Sequence, residues 1–262
     1  MNFFRTIRYL KYSLLSYHKR GHGIHSPFVF DLVSRVFHNK IDPDIIRSIE
    51  KVRKKMKDDR RSIVVNDLGS GSANFKTNIR KVSDIARYSP VPLKYGVLLS
   101  NLAIEFGDPL ILEFGTSFGI SAMYMAAATP DVRVKTIEGC QALSDIASAT
   151  FSEAGVYNID LITASFDEIL PDIMGWKIKP GLVFIDGNHR KAPLLKYFNS
   201  LSEVSDNKIV IIIDDIYNSP EMEEAWKEIK QSARVSVTID IFRMGIVFFR
   251  SGISHNNYIV RY

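Results

Sequence analysis

From residue 109 onward the chain is punctuated by five short apolar runs: PLILEFG (109–115), RVKTIEG (133–139), NIDLITA (158–164), GLVFIDG (181–187) and KIVIIIDD (208–215). Stretches of helical spacing separate them, near 119–128, 141–154, 166–174 and 190–202. Strands alternating with helices build βαβ units, and βαβ units build a mainly parallel sheet. A further helix is expected at SPEMEEAWKEIKQS (219–232), where Ser219 is the cap, Pro220 takes the first helical position and Glu221 sits in the first turn. The tail RVSVTIDIF and MGIVFFR reads as two adjacent strands with Arg243 and Met244 in the turn. The expectation is an α/β fold: a doubly wound, Rossmann-like, seven-stranded, mostly parallel sheet with helices on both faces and an N-terminal helical extension.

The first 60 residues read as helical and basic. The segment 42–58 opens with Asp42 as a cap and Pro43 at the first helical position. We place a basic extension with a loop or lid at 1–90 and the main domain at 91–262. The formal charge of +5 comes largely from residues 1–61. A basic arm attracts nucleic acid or anionic lipid, but no aromatic-plus-basic motif accompanies it, so a solvated helix face is the default. Phe3, Ile7, Leu10 and Leu14 recur at helical spacing. Packing of that stripe on its own domain or on a second copy, as a homodimer, is favoured over a membrane surface. No run of about 20 apolar residues is present to span a membrane. Arg5, Arg8 and Lys11 interrupt any signal-peptide core. The single cysteine, Cys140, favours a reducing, cytoplasmic compartment and reads as a small buried residue, since no base partners it.

In a doubly wound sheet, ligands bind beyond the C-terminal ends of the strands. Two glycine turns compete for a cofactor: NDLGSGS (66–72) and LEFGTSFGIS (112–121). The second places Glu113, Gly115 and Gly119 after a strand and before a helix, whose first N–H groups are open to a ligand. Glu138 ends the next strand, 25 residues after Glu113, where a carboxylate can accept both hydroxyls of a ribose. The first turn is followed by NFKTNIRKVSDIARYS, charged and read as helical, with no acidic strand end beyond it. The cofactor turn is therefore 113–121.

EFGTSFGIS followed by TIEG, ASFDEILP, FIDGNH and IIIDDI resembles the S-adenosylmethionine-dependent O-methyltransferases of the catechol and caffeoyl-CoA type, over residues 93–250. The resemblance implies that Glu113, Gly115, Ser117 and Ser121 line the methionine end of S-adenosylmethionine, that Glu138 clamps the ribose, and that Ser165 and Phe166 flank the adenine. It leaves 66–72 as a flexible loop between arm and core, a lid on the acceptor side.

Asp186, Asp214 and Asp215 end neighbouring strands. Like charges held together require a cation, a shared proton or a hydrogen-bonding partner, and oxygen-only ligands suit Mg²⁺ or another hard divalent ion. In the resembled family the equivalent Asp, Asp and Asn hold a metal that binds two neighbouring substrate oxygens. Here Asp215 stands in place of Asn. His189, three positions after Asp186, stands where those enzymes commonly carry a catalytic lysine. An imidazole of ordinary pKa serves as a general base near neutrality; the alternative is a solvent-facing loop. Asp186 is expected both in the catalytic group and beside the cofactor. His18, His22 and His25 lack Cys or carboxylate companions at ligand spacing and read as a loop packed on the domain or bordering the acceptor pocket.

The expected activity is S-adenosylmethionine-dependent, metal-assisted O-methylation of a small-molecule or sugar-like acceptor. RNA methylation through the basic arm and a non-catalytic scaffold are the alternatives; a nicotinamide oxidoreductase is disfavoured by the missing GxGxxG pattern.

Overall fold

The computed structural model describes residues 3–17, 19–66, 77–204 and 208–262. Helix α1 (Phe3–Leu15) is followed by α2 (Pro27–Asp31), a π-helical turn at Leu32–Val36, and α3 (Pro43–Asp58). Asp42 caps α3 by accepting from the Asp44 N–H at 2.8 Å, with Pro43 in the first turn as the sequence indicates. Strand β1 (Ser62–Val64) pairs antiparallel with β2 (Ile79–Lys81), and α4 (Val82–Tyr88) and α5 (Leu93–Phe106) follow. The helical reading of 74–89 is thus corrected: residues 79–81 form a strand, because β1 is there to pair with it. Residues 67–76 between these strands, with all of NDLGSGS except Asn66, lie outside the described residues, and so does His18.

The βαβ series then runs β3 (Leu110–Phe114), α6 (Ile120–Ala128), β4 (Arg133–Glu138), α7 (Gln141–Ala154), β5 (Ile159–Thr163), α8 (Phe166–Gly175), β6 (Leu182–Ile185), α9 (Lys191–Glu203), β7 (Val210–Ile213), α10 (Pro220–Gln231), β8 (Val237–Asp240), β9 (Gly245–Phe248) and β10 (Asn256–Ile259). The main sheet has the order β10-β8-β9-β7-β6-β3-β4-β5, and within it only β9 runs against its neighbours. Chain order reverses between β3, which leads outward to β4, and β6 on its other side. That reversal opens a crevice at the strand ends.

Successive residues of a strand face opposite sides of the sheet, and here both sides are core. Leu182, Phe184, Val210 and Ile212 pack with the cluster that includes α3, α5, α6 and α7, whereas Val183, Ile185, Ile211 and Ile213 pack with α8, α9 and α10. This is why the runs are apolar throughout instead of alternating. Cys140 is buried, as expected.

The sheet has eight strands rather than seven. The eighth, β10, is NNYI, half polar, and one of its neighbours comes from the far end of the chain. It lies parallel to β8, while Tyr17 bridges Val260 on its other side. The N-terminal helix is fastened here as well: Tyr12 Oη donates to the Val260 carbonyl at 2.7 Å and accepts from the Tyr262 N–H at 3.0 Å. Arg8 pairs with Glu223 at 2.7 Å. These contacts use the polar face of α1, so Phe3, Ile7, Leu10 and Leu14 point outward and are exposed; the expected packing of that stripe on its own domain is not what holds the helix. Tyr12→Phe leaves the Val260 carbonyl and the Tyr262 N–H without their buried partner and should lower the unfolding free energy by about 1–3 kcal/mol, measured in denaturant melts.

Candidate active site

At the β3/β6 reversal the strand ends surround a cavity of about 430 Å³, within the range of small-molecule sites, roughly 300–1,000 Å³. Gly115, Ser117, Ser121, Glu138, Ser165, Phe166, Asp186, His189 and Asp215 all line it. Glu113, Gly119 and Asp214 stand behind its wall.

The turn after β3 is shaped by close packing. Gly115 has φ +104°, and a Cβ there would come within 2.3 Å of the Asp186 carbonyl, so its bare backbone lets β3 and β6 approach. Gly119, at φ +78°, makes room for the Phe151 ring at the start of α6. Its role is to seat α6 against α7 rather than to form the cavity wall. Ser117 is also left-handed, with φ 48°, and its N–H donates to Glu138 Oε2 at 2.8 Å; the Cys140 N–H donates to Glu138 Oε1 at 3.0 Å. Two backbone donors thus fix the carboxylate of Glu138 at the mouth of the glycine turn. Ser165 caps α8 in a reciprocal capping box with Glu168, and Phe166 is wedged edge-on between Phe114 and Tyr197.

Beneath the floor, Glu113 is fully buried. Its Oε2 accepts from Thr136 Oγ1 at 2.5 Å, while Oε1 has no hydrogen-bond partner. Burial pushes its carboxyl up to about 8, although the nearby hydroxyls of Ser121 and Thr136 oppose this. Asn188, on the cavity wall, likewise has a buried and unpartnered Oδ1. Orphaned buried acceptors cost free energy unless a ligand meets them. Two of them, at and beneath one wall, beside a glycine turn and a fixed carboxylate, suit a cofactor with an ammonium and a ribose.

The three aspartates do gather as their register requires. Ile185 is paired with Ile213, and the Asp214 N–H donates to the Ile185 carbonyl at 2.9 Å. Each carboxylate already faces a cation of the chain. Arg243 grips Asp214 with Nε on Oδ1 at 3.0 Å and Nη2 on Oδ2 at 2.6 Å. Arg5 of α1 reaches Asp215 at 3.2 Å, and His189 Nε2 stands 3.5 Å from Asp186 Oδ1. Burial and the charges of Asp186 and Asp215 raise the Asp214 pKa; the guanidinium of Arg243 opposes them. Because both Asp214 oxygens accept N–H donors, the carboxylate is held ionised in this geometry. The expectation of a divalent ion on Asp186, Asp214 and Asp215 does not fit: Mg²⁺ needs bare oxygen ligands, and the oxygens of Asp214 are taken by a guanidinium. Among the described residues no group of His, Cys, Asp and Glu is arranged to hold a metal.

His189 is not the solvent-facing histidine of ordinary pKa. Burial works against its charge, yet the hydrogen bond with Asp186 and the fields of Asp186, Asp215 and Asp214 outweigh it and push the imidazole up to about 9. His22 and His25 are exposed and absent from the cavity wall; their loop packs through Ile24. Sequence reasoning missed Arg5, Arg80, Asn188 and Arg243, all on the wall. The signal for Arg243 was its place in the turn after a C-terminal strand; for Arg5, which comes from the other end of the chain, there was none.

The fold raises the Glu113 pKa above its ordinary value of 4.5. Its protonated form therefore stabilises the fold fully below pH 4.5, and that contribution is lost as pH rises through about 8. Glu113→Gln should remove this fall, up to about 1.4 kcal/mol per pH unit, in denaturant melts across that range. In an NMR pH series the His189 imidazole should titrate near 9, and Asp186→Asn should lower that midpoint by more than about one unit.

Residues 112–216 match the family model described as Methyltransferase domain. Over 143 residues the chain is 27% identical to the O-methyltransferase imqG of Aspergillus flavus, a match covering 52% of this chain and 56% of that protein. The chain thus spans about half the length of that curated relative. The fold superposes on the O-methyltransferase TomG from Streptomyces achromogenes, solved in complex with S-adenosylmethionine, at TM-score 0.55 and 19% identity, covering 85% of this chain and 95% of that one. It also superposes on an O-methyltransferase from Bacillus cereus in complex with S-adenosylhomocysteine, at TM-score 0.55 and 20% identity, covering 85% and 97%. The chain has the fold of these O-methyltransferases, and its residues 112–216 match the methyltransferase-domain model.

Proposed function

We propose that this protein is an S-adenosylmethionine-dependent methyltransferase that methylates an oxygen of a small-molecule acceptor. The observation that carries this reading is Glu138, fixed by two backbone N–H groups at the end of β4 and facing the same cavity as the Gly115–Ser121 turn. S-adenosylmethionine supplies an electrophilic methyl on a positively charged sulfur.

The chain's own residues do the rest. Glu138 receives the ribose hydroxyls, and Phe166 with Ser165 borders the adenine. The orphaned oxygens of Glu113 and Asn188 favour the cationic end of the cofactor. His189, held by Asp186, takes the acceptor proton. With its pKa raised to about 9, the imidazole accepts that proton only from its neutral form, so its competence grows as pH rises toward that value. Methyl transfer needs an in-line approach and a dry site, and helix α1 covers the acceptor side by placing Arg5 on Asp215. No step passes through a metal.

A small acceptor suits the cavity. RNA docking through the arm is disfavoured, because Arg5 and Arg8 are engaged by Asp215 and Glu223. No helix among the described residues is long and apolar enough to cross a membrane, and a lone buried cysteine suits a reducing compartment such as the cytoplasm.

Calorimetry with S-adenosylhomocysteine and the intact protein tests the reading: one site per chain is expected, and Glu138→Ala should weaken it by about 10- to 100-fold, the loss of charge-assisted hydrogen bonds. Absence of binding by the unaltered protein would remove the proposal.

A further inference from the structure

Three carboxylates converge on the acceptor end of the cavity, and the chain answers them one for one: Arg243 on Asp214, Arg5 on Asp215, His189 on Asp186. The Asp214 pair is built in. Its carboxylate is wholly buried, the guanidinium meets it as a two-pronged fork, and the Arg243 side chain is only 18% exposed. Arg243 is also placed from three other directions. Its N–H donates to the Ile241 carbonyl at 2.9 Å, its carbonyl accepts from the Ile216 N–H at 3.3 Å, and its guanidinium lies 5.6 Å from the centre of the Tyr95 ring. The preceding Phe242 adopts φ +70° to make this turn, and Arg5 lies over the Phe242 ring at 5.9 Å. A planar guanidinium matches a carboxylate in two parallel bonds and keeps its charge at any working pH.

Resting on the methyltransferase reading above, we propose that Arg243, assisted by Arg5, is the built-in cation of this site: guanidinium groups stand where a divalent ion would bridge the aspartates, and they hold the acceptor oxygen without metal. The third nitrogen of Arg243, Nη1, lies outside the fork on Asp214, and both arginines line the cavity. In the resembled family the metal binds two neighbouring acceptor oxygens, whereas a guanidinium N–H needs one. The acceptor class is therefore a molecule presenting a single acidic hydroxyl, with no requirement for a vicinal pair. Arg5 reaches the site from outside the 112–216 match, so the arm takes part in acceptor specificity.

The test uses Mn²⁺ alone, followed by electron paramagnetic resonance, with the full-length protein and its variants. The unaltered protein should leave the free Mn²⁺ signal undiminished into the millimolar range and should melt at the same temperature with and without the ion. Arg243→Met uncovers the aspartates, and Mn²⁺ should raise its melting temperature by several degrees. Asp214→Asn/Arg243→Met removes both partners and should fold without Mn²⁺ and gain nothing from it. One-to-one Mn²⁺ binding by the unaltered protein, abolished in Asp214→Asn, would overturn the proposal even if Arg243→Met did not fold. So would a folded Arg243→Met variant indifferent to Mn²⁺. S-adenosylhomocysteine binding is measured in parallel: its absence would remove the methyltransferase reading and leave the Mn²⁺ result to decide the arginine assignment.

Discussion

The burial of charge at the C-terminal edge of the sheet is the constraint on which the rest of this structure depends. A sheet covered by helices on both faces has no water alongside its strands, so any carboxylate at a strand end must find a partner within the protein. Asp214 is fully buried and is met by Arg243; Glu113 is fully buried and is met on one oxygen only. The first is a closed ion pair, stable as long as both members stay, since removing one partner leaves an uncompensated charge. The second is an open valence beneath the cavity. On the proposed reading, the two carboxylates divide the site into an acceptor end whose charge is settled by the chain and a cofactor end whose charge is not.

Backbone geometry carries the same division. Among the described residues, the non-glycine positions with left-handed φ are Ser117, Asn188, Asp215 and Phe242, and each follows a strand of the main sheet at the cavity edge or directly behind it. Such conformations cost about 1–3 kcal/mol each and persist only where packing over-determines them. Here they are the means by which side chains leaving a strand turn back over its end. Gly115 does the same without a side chain, because the Asp186 carbonyl occupies the space a Cβ would need.

Much of this was legible in advance. All seven strands read from apolar runs are present, and the caps at Asp42 and Ser219 act as their spacing implied. The choice of 113–121 over 66–72 rested on a following helix and an acidic strand end; residues of that turn and Glu138 line the cavity, and so does Asn66, the one described residue of the other turn. What escaped were strands made by their pairing partners and not by their own composition. NNYI became a strand because β8 and Tyr17 flank it, and residues 79–81 became a strand because β1 pairs with them. Local propensity holds no trace of a pairing partner, least of all of Tyr17, more than 200 residues from Val260.

The sequence by itself determined the layer architecture, the strand ends where chemistry gathers, and the chemical identity of the side chains there. These follow from local periodicity and from the rule that parallel strands end together. Only the tertiary structure decided how those side chains are neutralised. Three aspartates at strand ends suggest a metal when read along the chain, since only Asp186 has its counter-charge, His189, close by in sequence. The fold brings Arg5 from the first helix and Arg243 from a hairpin-like turn into that space. Electrostatics acts through distance in space, and distance in space is what a linear sequence leaves open.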